Sequence, residues 1–338
     1  MIEVVVKGWE GGFSGLQSAE PSFMEAVGVG RGETGIVINR GPAGQTNSTS
    51  PPGKKYSLKN PQVNDVSEEK NGPEENQPDH WQQWIESCQG LLERVAGQRE
   101  AIEQAAGWFA ESILAGRMVH LFGAGHSRVL VEEMWPRYGS FPGFHPIVEL
   151  SLTFHNQVVG ANGQRQAMFL EAQSGLAERI LRNFNLSDQD SALLISSSGC
   201  STVSIEMAEL MRSKGIRVVV LVSLDYCQAS TPRSPSGDKL IDHADLVLDT
   251  GAPVGDAMVS VAGLETPVSP GSTIGGAMVV NAIKAACADI LVKAGEMPPV
   301  LTASCLVGED RSRELFEAAY DEHARRLARL FEGLGLES

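Results

Sequence analysis

From about residue 80 onward, short apolar runs alternate with amphipathic helical segments, and this alternation restricts the fold more than any other feature. Residues 218–222 (Val-Val-Val-Leu-Val) and 192–195 (Ala-Leu-Leu-Ile) are apolar at every position. A strand without polar positions is buried on both faces, which is typical of a parallel sheet covered by helices on either side. Residues 272–293 predict a long, nearly apolar helix, and 311–334 an amphipathic terminal helix. The chain therefore predicts a doubly wound α/β fold in three layers, α/β/α.

Residues 1–78 differ in composition from the rest. They are rich in Gly, Pro, Ser, Asn and Glu, with turn clusters such as Ser50-Pro51-Pro52-Gly53. Such a segment does not bury enough apolar surface to offset the chain entropy lost on folding. We expect a disordered extension over 1–78 and one folded domain over 79–334, with helices at both ends.

The charge and cysteine content limit the possible partners. The net charge of −15 disfavours broad attraction to nucleic acid or to an anionic membrane. No secretory signal is visible at the start, and the most apolar stretch, 277–294, is interrupted by charged residues. The five cysteines are odd in number and none lies in a Cys-x-x-Cys pair, as expected for reduced thiols. We expect a cytoplasmic protein that binds neither nucleic acid nor membranes.

A hydroxyl-rich segment follows the apolar run at 192–195. It reads Ser196-Ser197-Ser198-Gly199-Cys200-Ser201-Thr202 and leads directly into an amphipathic stretch. The free N–H groups and the dipole of a helix N-terminus favour an anion there, and the hydroxyls add hydrogen-bond donors. The segment predicts a phosphate pocket. The alternative is simple capping of the helix by Ser201 or Thr202.

A glycine loop, Gly123-Ala124-Gly125-His126-Ser127, follows the apolar run at 118–122. It begins like a dinucleotide-binding Gly-x-Gly-x-x-Gly motif, but Arg128 occupies the sixth position, and no acidic residue follows at the end of a clear second strand about twenty residues on. We therefore expect no nucleotide cofactor. Alone, such a loop is mostly a tight turn. Two loops after successive core strands of a doubly wound sheet would, however, face one crevice.

A third element opens the long apolar helix with Gly271-Ser272-Thr273. Ser272 and Thr273 could donate to the same ligand or only cap the helix. Asp256, in the Gly251–Asp256 loop, could bind sugar hydroxyls or cap the following turn.

Taken in order, these motifs resemble the sugar isomerase (SIS) domain family, in particular its uncharacterised bacterial members that are grouped with phosphosugar isomerases. The resemblance spans about 80–330 and rests on residues 123–127, 132–133, 196–199, 201–208, 236–240, 251–257 and 271–276. It implies a five-stranded parallel sheet, assembly as a homo-oligomer (dimer or tetramer), and binding of a phosphorylated sugar.

Carried onto this chain, the resemblance implies a set of ligand-binding residues. The phosphate set is Ser127, Ser196, Ser197, Ser198, Ser201 and Thr202, and the sugar set is Gly125, Asp256, Ser272 and Thr273. Cys200 and Ser201 stand where relatives often have Arg and Asn, and Arg128 where they often have a second His. These departures bear on the choice of sugar more than on the phosphate.

Aldose–ketose isomerisation needs a carboxylate or imidazole base. The candidates are Glu132, Glu133, His126 and His155. Two hypotheses remain: a phosphosugar isomerase in carbohydrate derivative metabolism, or a pocket that senses a phosphosugar without turnover. A lyase similar to an amino-sugar phosphate etherase is a variant of the first. A metal site built from His126, His145 and His155 would require assembly in space, and we expect no metal.

Overall fold

The computed structural model describes residues 79–153 and 163–332. The predicted extension over 1–78 and the candidate base His155 lie outside the described residues.

Five parallel strands form the central sheet in the order β2-β1-β3-β4-β5. They are β1 (Val119–Gly123), β2 (Phe144–Ile147), β3 (Ser191–Ile195), β4 (Arg217–Val222) and β5 (Leu246–Asp249). A separate antiparallel pair, not anticipated from the sequence, joins β6 (Ala257–Val259) to β7 (Val268–Pro270). The expected five-stranded parallel sheet is confirmed.

Helices cover both faces of the sheet. They are α1 (His80–Ala96), α2 (Arg99–Leu114), α3 (Arg128–Met134), α4 (Leu150–Thr153), α5 (Gln164–Leu170), α6 (Leu176–Leu181), α7 (Thr202–Ser213), α8 (Leu224–Ala229), α9 (Ser272–Lys293), α10 (Ser304–Val307) and α11 (Glu309–Phe331). Two 3-10 helices lie at Gly125–Ser127 and Leu240–His243.

Alternate residues of each central strand feed two hydrophobic cores, one on each face of the sheet. Leu121, Leu193 and Val219 pack with α2, α3 and α9. Their neighbours Phe122, Leu194 and Val220 pack with α6 and α7. Strands buried on both faces explain the uninterrupted apolar runs of the sequence, and the three-layer sandwich is confirmed.

A buried ion pair fixes the amino ends of β1 and β3. Arg117 donates to both carboxylate oxygens of Asp190, at 3.0 and 2.8 Å, and the N–H of Met118 donates to the same carboxylate. Burial raises the pKa of Asp190, but contacts with His120 and Arg117 outweigh it and lower the pKa to about 2. The carboxylate therefore stays charged and holds the register in which Val119 pairs with Ser191.

The long helix α9 crosses one face of the sheet in close contact with its neighbours. By length and composition it is the one helix in the described part of the chain that could cross a membrane. Core helices share this composition, and α9 packs on α1, α2 and α3. A Cβ added at Gly275 would lie 1.8 Å from the carbonyl oxygen of Thr250, and one at Gly276 would meet Leu130 at 2.3 Å. Glycine is therefore required for the approach of α9 to the end of β5.

We expect Gly275→Ala to lower the free energy of unfolding by at least about 2 kcal/mol, because a methyl group would displace backbone that has no room to move. Gly90→Ala in α1 is the matched control, since nothing lies within 4 Å of its added Cβ. It should raise the free energy of unfolding by about 0.5–1 kcal/mol through helix propensity. Urea unfolding of both variants measures the difference, and equal effects would contradict the close-approach argument.

Candidate functional site

The topological switch point of the sheet lies between β1 and β3. The chain runs from β1 outward to β2 and then returns to β3 on the other side of β1. In such sheets the crevice at the carboxyl ends of the two strands is the preferred place for a ligand. Gly123 pairs with Ile195 at the ends of β1 and β3. The glycine loop and the hydroxyl-rich loop therefore start side by side at the same edge.

Tight turning of the glycine loop depends on its two glycines. Gly125 has a φ of +59°, and a Cβ at Gly123 would lie 2.9 Å from backbone atoms of Ser127. Residues Gly125–Ser127 form a 3-10 helix that leads into α3, and α4 and α5 pack against it. His126 is exposed there, and Ser127 and Gly125 are half-buried. The loop presents a partly accessible hydroxyl at the crevice.

The hydroxyl-rich loop does not act as a simple helix cap. Ser201 occupies the N-cap position of α7, yet within the described residues its side chain makes no capping hydrogen bond. Its hydroxyl instead donates to the carbonyl oxygen of Glu171 at 3.4 Å. Ser127 at the start of α3 likewise makes no side-chain cap to the described residues. The capping alternative therefore accounts for neither serine.

Two buried hydroxyls at the start of α7 have no hydrogen-bond partner among residues 79–153 and 163–332. They belong to Thr202 and Ser204, both fully buried. Buried hydroxyls are normally paired, so each unpaired one calls for an explanation such as an ion or ligand. Ser196 and Ser201 are buried, whereas Ser197 and Ser198 are half-buried. The accessible hydroxyls of this loop are therefore those of Ser197 and Ser198. The start of α7 combines a helix dipole with unused donors.

Glu171 lies at this helix N-terminus and was not anticipated from the sequence. Its carbonyl oxygen accepts from the N–H of Val203 at 3.1 Å as well as from Ser201. Its carboxylate is one-fifth exposed and lies 3.6 Å from the guanidinium of Arg233. Burial raises the pKa of Glu171, against the opposing effect of Arg233. A carboxyl group with a raised pKa beside a ligand crevice is suited to proton transfer.

The two glutamates predicted as bases both lie on α3 and each contacts an arginine four residues away in the sequence. Glu132 is exposed and lies 3.7 Å from Arg128. Glu133 contacts Arg137 at 3.1 Å and accepts from Asn281 of α9. Across the described ranges, no hydrogen bond or ion pair joins either carboxylate to the hydroxyl-rich loop. Their catalytic role stays a prediction.

Of the three histidines that a metal site would have required, the structure describes His126 and His145, and it does not bring them together. His126 is exposed on the glycine loop, whereas His145 is buried in β2 with its Nδ1 3.0 Å from Nδ1 of His120. Burial lowers the pKa of His145 to about 3, and the neighbouring His120 acts in the same direction. His145 is therefore a buried residue of the sheet and not an accessible metal ligand. His155 lies outside the described residues.

The sugar-binding candidates near α9 form a cap for that helix. One carboxylate oxygen of Asp256 accepts from the N–H groups of Gly271 and Ser272, at 3.1 and 2.7 Å. The other accepts from the Ser272 hydroxyl at 2.8 Å. Asp256 therefore caps the start of α9, and not the turn that directly follows it as the sequence had suggested. Thr273 is half-buried on the first turn of α9, and a sugar contact by this set stays a prediction.

A cavity of about 690 Å³ lies at the opposite, amino edge of the sheet, beside Gly116 and Arg326. Its arginines are engaged by the protein itself. Arg326 donates to Glu322 and to the carbonyl oxygens of Ile113 and Arg117, and Arg329 donates to Gly116. These cations stabilise the packing of α11, so this cavity is not an anion site comparable to the start of α7.

Comparison with known proteins identifies the domain to which both loops belong. Residues 83–223, which include both loops, match the model of the SIS domain. A UPF0309 protein of Listeria monocytogenes is 31% identical over 240 residues, which cover 71% of this chain and 95% of that protein. A UPF0309 protein of Brucella canis is 33% identical over 239 residues, 71% of this chain and 94% of that one.

The chain belongs to the UPF0309 family of SIS-domain proteins.

Among solved structures, a phosphoheptose isomerase from Francisella tularensis is 18% identical with a TM-score of 0.39, and 64% of this chain covers 97% of that one. The Vibrio vulnificus NanR protein complexed with ManNAc-6P is 16% identical with a TM-score of 0.40, covering 72% of this chain and 67% of that one. At these values the likeness carries no argument about the function of this SIS-domain chain.

The conformation of the hydroxyl-rich loop depends on Gly199. Its φ is +62°, and an added Cβ would lie 2.7 Å from the Sγ atom of Cys227 in α8. We expect Gly199→Ala to lower the free energy of unfolding by about 1–3 kcal/mol through backbone strain and this clash.

The double variant Gly199→Ala/Cys227→Ala separates the two causes. Removing the sulfur should relieve the clash, so the double variant should be less destabilised than the sum of the single variants by about 0.5–3 kcal/mol. Denaturant unfolding of all four proteins gives the coupling. Additive effects would show that the sulfur does not constrain the loop.

Proposed function

We propose that this SIS-domain protein binds a phosphorylated sugar, with the phosphate at the start of α7 and the sugar extending toward the glycine loop. The main observation in support is that the glycine loop and the hydroxyl-rich loop start side by side at the switch point, where Gly123 pairs with Ile195. The unpartnered hydroxyls of Thr202 and Ser204 support it, because both belong to the first turn of α7, the helix end that favours an anion. Arg233, close to Cys200 and Glu171, adds a nearby positive charge in an otherwise acidic chain.

We further propose that the protein is an aldose–ketose isomerase with Glu171 as its base. In this reaction the carboxylate removes a proton from the carbon beside the carbonyl group, giving an enediolate, and the proton of the hydroxyl group on that carbon moves to the former carbonyl oxygen. The carboxylic acid then returns the proton to the neighbouring carbon, which regenerates the carboxylate and moves the carbonyl group. A base for this step works best when its pKa lies nearer to neutrality than that of a free carboxyl group. Burial raises the pKa of Glu171 in this direction.

Glu171 is a better candidate than Glu132 or Glu133 on electrostatic grounds. Glu132 is exposed beside Arg128, and the half-buried Glu133 is held by Arg137 and by Asn281 of α9. Glu171 is mostly buried, and its backbone is fixed by two hydrogen bonds from the start of α7. A base held in this way keeps its position relative to a phosphate bound at the same helix. His126, exposed on the glycine loop, remains available to assist at a sugar hydroxyl.

The second candidate function is a phosphosugar sensor, which would use the same pocket without turnover. The carboxylate of Glu171 would then only accept hydrogen bonds from sugar hydroxyls. The expected dimer or tetramer also stays a prediction.

Binding is tested by the melting temperature of the protein with hexose 6-phosphates, pentose 5-phosphates, inorganic phosphate and unphosphorylated sugars. A sugar phosphate should raise the melting temperature, because ligand binding to the native state stabilises it by mass action. Ser198→Ala should weaken the affinity by about tenfold to a hundredfold, the effect of one hydrogen bond to a charged group. Ser213→Ala, at the far end of α7, is the control, because its hydroxyl contacts only Leu210 among the described residues.

Thr202→Val sharpens this test, because it removes an unpartnered hydroxyl without changing the shape of the side chain. Without ligand the variant should be as stable as the parent or more stable. Its sugar phosphate affinity should nevertheless fall. A variant that binds like the parent, or a parent that no sugar phosphate stabilises, would refute the proposed pocket.

Turnover is tested with Glu171→Gln against Glu132→Gln and Glu133→Gln. Loss of a general base costs about a hundredfold to ten-thousandfold in rate. We therefore expect Glu171→Gln to abolish most turnover of the bound sugar phosphate, with its dissociation constant changed by less than about threefold, within the range of one weak hydrogen bond. Proton exchange from solvent into the sugar, followed by NMR, detects the enediol step directly. Binding without exchange in the parent protein would favour the sensor.

A further inference from the structure

Three metal-ligating side chains meet on the α7 side of the sheet, in a cluster that the proposed function does not use. Glu209 projects from α7, Asp238 precedes the 3-10 helix Leu240–His243, and His243 ends it. One oxygen of each carboxylate and one imidazole nitrogen lie within 4.8 Å of one another. The Nε2 atom of His243 is 3.3 Å from Oε1 of Glu209 and 3.3 Å from Oδ2 of Asp238.

These separations fit a tetrahedral metal ion. Zinc binds imidazole nitrogen and carboxylate oxygen at about 2.0–2.2 Å, which places neighbouring donor atoms about 3.4 Å apart. Two carboxylates and a neutral imidazole also carry a charge of −2, which balances a divalent cation. The mixture of nitrogen and oxygen donors favours a transition-metal ion over calcium or magnesium, which prefer oxygen donors alone.

We propose that Glu209, Asp238 and His243 bind one divalent transition-metal ion of the zinc type. The side chains of Glu209 and Asp238 are 42% and 43% exposed, so water reaches the fourth coordination position. This inference does not rest on the proposed function, because neither the donors nor their geometry involve the sugar pocket.

The backbone that carries two of the three donors is already held in place. The N–H of Lys239 donates to Asp242 at 2.7 Å, and its Nζ donates to the carbonyl oxygens of Cys227 and Gln228. The carbonyl oxygen of Asp238 accepts from the hydroxyl of Ser234 at 2.9 Å. Binding therefore requires little ordering of the chain, which favours affinity.

The cluster is also connected to the hydroxyl-rich loop, by a hydrogen bond and through helix α7. The N–H of Leu240 donates to the carbonyl oxygen of Gly199 at 2.8 Å, and Glu209 belongs to the helix that the loop opens. A metal ion joining Glu209 to Asp238 and His243 would fix the 3-10 helix against α7, and through Leu240 it would hold Gly199. The proposed ion thus stabilises the loop without entering the crevice.

The competing explanation is an ion pair in which a protonated His243 contacts both carboxylates. The two explanations differ in their response to zinc. A metal site gains stability when zinc is added, whereas an ion pair is already complete and gains none.

The test uses tag-free protein stripped with EDTA and titrated with ZnCl₂, by calorimetry and by thermal unfolding, with MgCl₂ as the comparison ion. We expect one zinc per chain and a rise in melting temperature with zinc but not with magnesium. His243→Gln and Asp238→Asn should each weaken zinc binding about tenfold or more. Glu103→Gln is the matched control, because Glu103 is an exposed carboxylate paired with Arg99 and belongs to no group of possible metal ligands among the described residues.

Specific loss in the His243 and Asp238 variants, with normal binding by the Glu103 variant, supports the site. Absence of stoichiometric zinc binding overturns it. Equal zinc binding by all variants also overturns it, since the ion would then lie elsewhere. Use of two ligand variants guards against one that fails to fold, and circular dichroism of each metal-free protein verifies the fold.

Discussion

The parallel register between β1 and β3 is the constraint on which the candidate site depends. At the amino ends, the buried Arg117–Asp190 pair joins the two strands, and Asp190 also accepts from the backbone of Met118. At the carboxyl ends, this register places Gly123 opposite Ile195. A shift of one residue would move every side chain of β3 to the other face of the sheet and separate the two loops. By fixing the strand register at the amino ends, the ion pair also determines where the crevice forms at the carboxyl ends.

The start of α7 shows how the fold maintains an energetically unfavourable arrangement. The hydroxyls of Thr202 and Ser204 are buried without a partner in the described ranges, and each such group costs about 1–3 kcal/mol. Replacement by valine or alanine would remove this cost without loss of packing. A bound phosphate would offset it, because the oxygens accept several hydrogen bonds and interact favourably with the helix dipole. This reasoning favours a ligand over a purely structural loop.

The sequence predicted the main strands and helices well, because each of them is marked by a local pattern of apolar residues. The all-apolar run at 218–222 lies within β4, and the expected helix over 272–293 has the same bounds as α9. The glycine and hydroxyl-rich loops also follow the strands as expected. The doubly wound pattern also predicted that the two loops face one crevice, whereas the strand order β2-β1-β3-β4-β5 was not predicted.

Contacts between segments distant in the sequence were not predicted, because no local pattern marks them. Glu171 meets Ser201 thirty residues later, and its local sequence shows no periodicity that marks it as buried. Glu133 looked suitable on a helix after the glycine loop, but the sequence did not reveal its contact with Asn281 of α9, 148 residues later. The cap formed by Asp256 on α9, and the cluster of Glu209, Asp238 and His243, likewise join parts of the chain that only the fold brings together.

The environment of Glu171 bears on the choice between catalysis and sensing. A receptor for sugar hydroxyls is served best by an ionised carboxylate, which a close arginine would maintain. Here Arg233 lies 3.6 Å away, and the effect of burial nevertheless dominates and raises the pKa of Glu171. Raising the pKa weakens the carboxylate as a constant hydrogen-bond acceptor but improves it as a group that both takes and returns a proton. The electrostatics at the start of α7 thus match the needs of proton transfer better than those of binding alone.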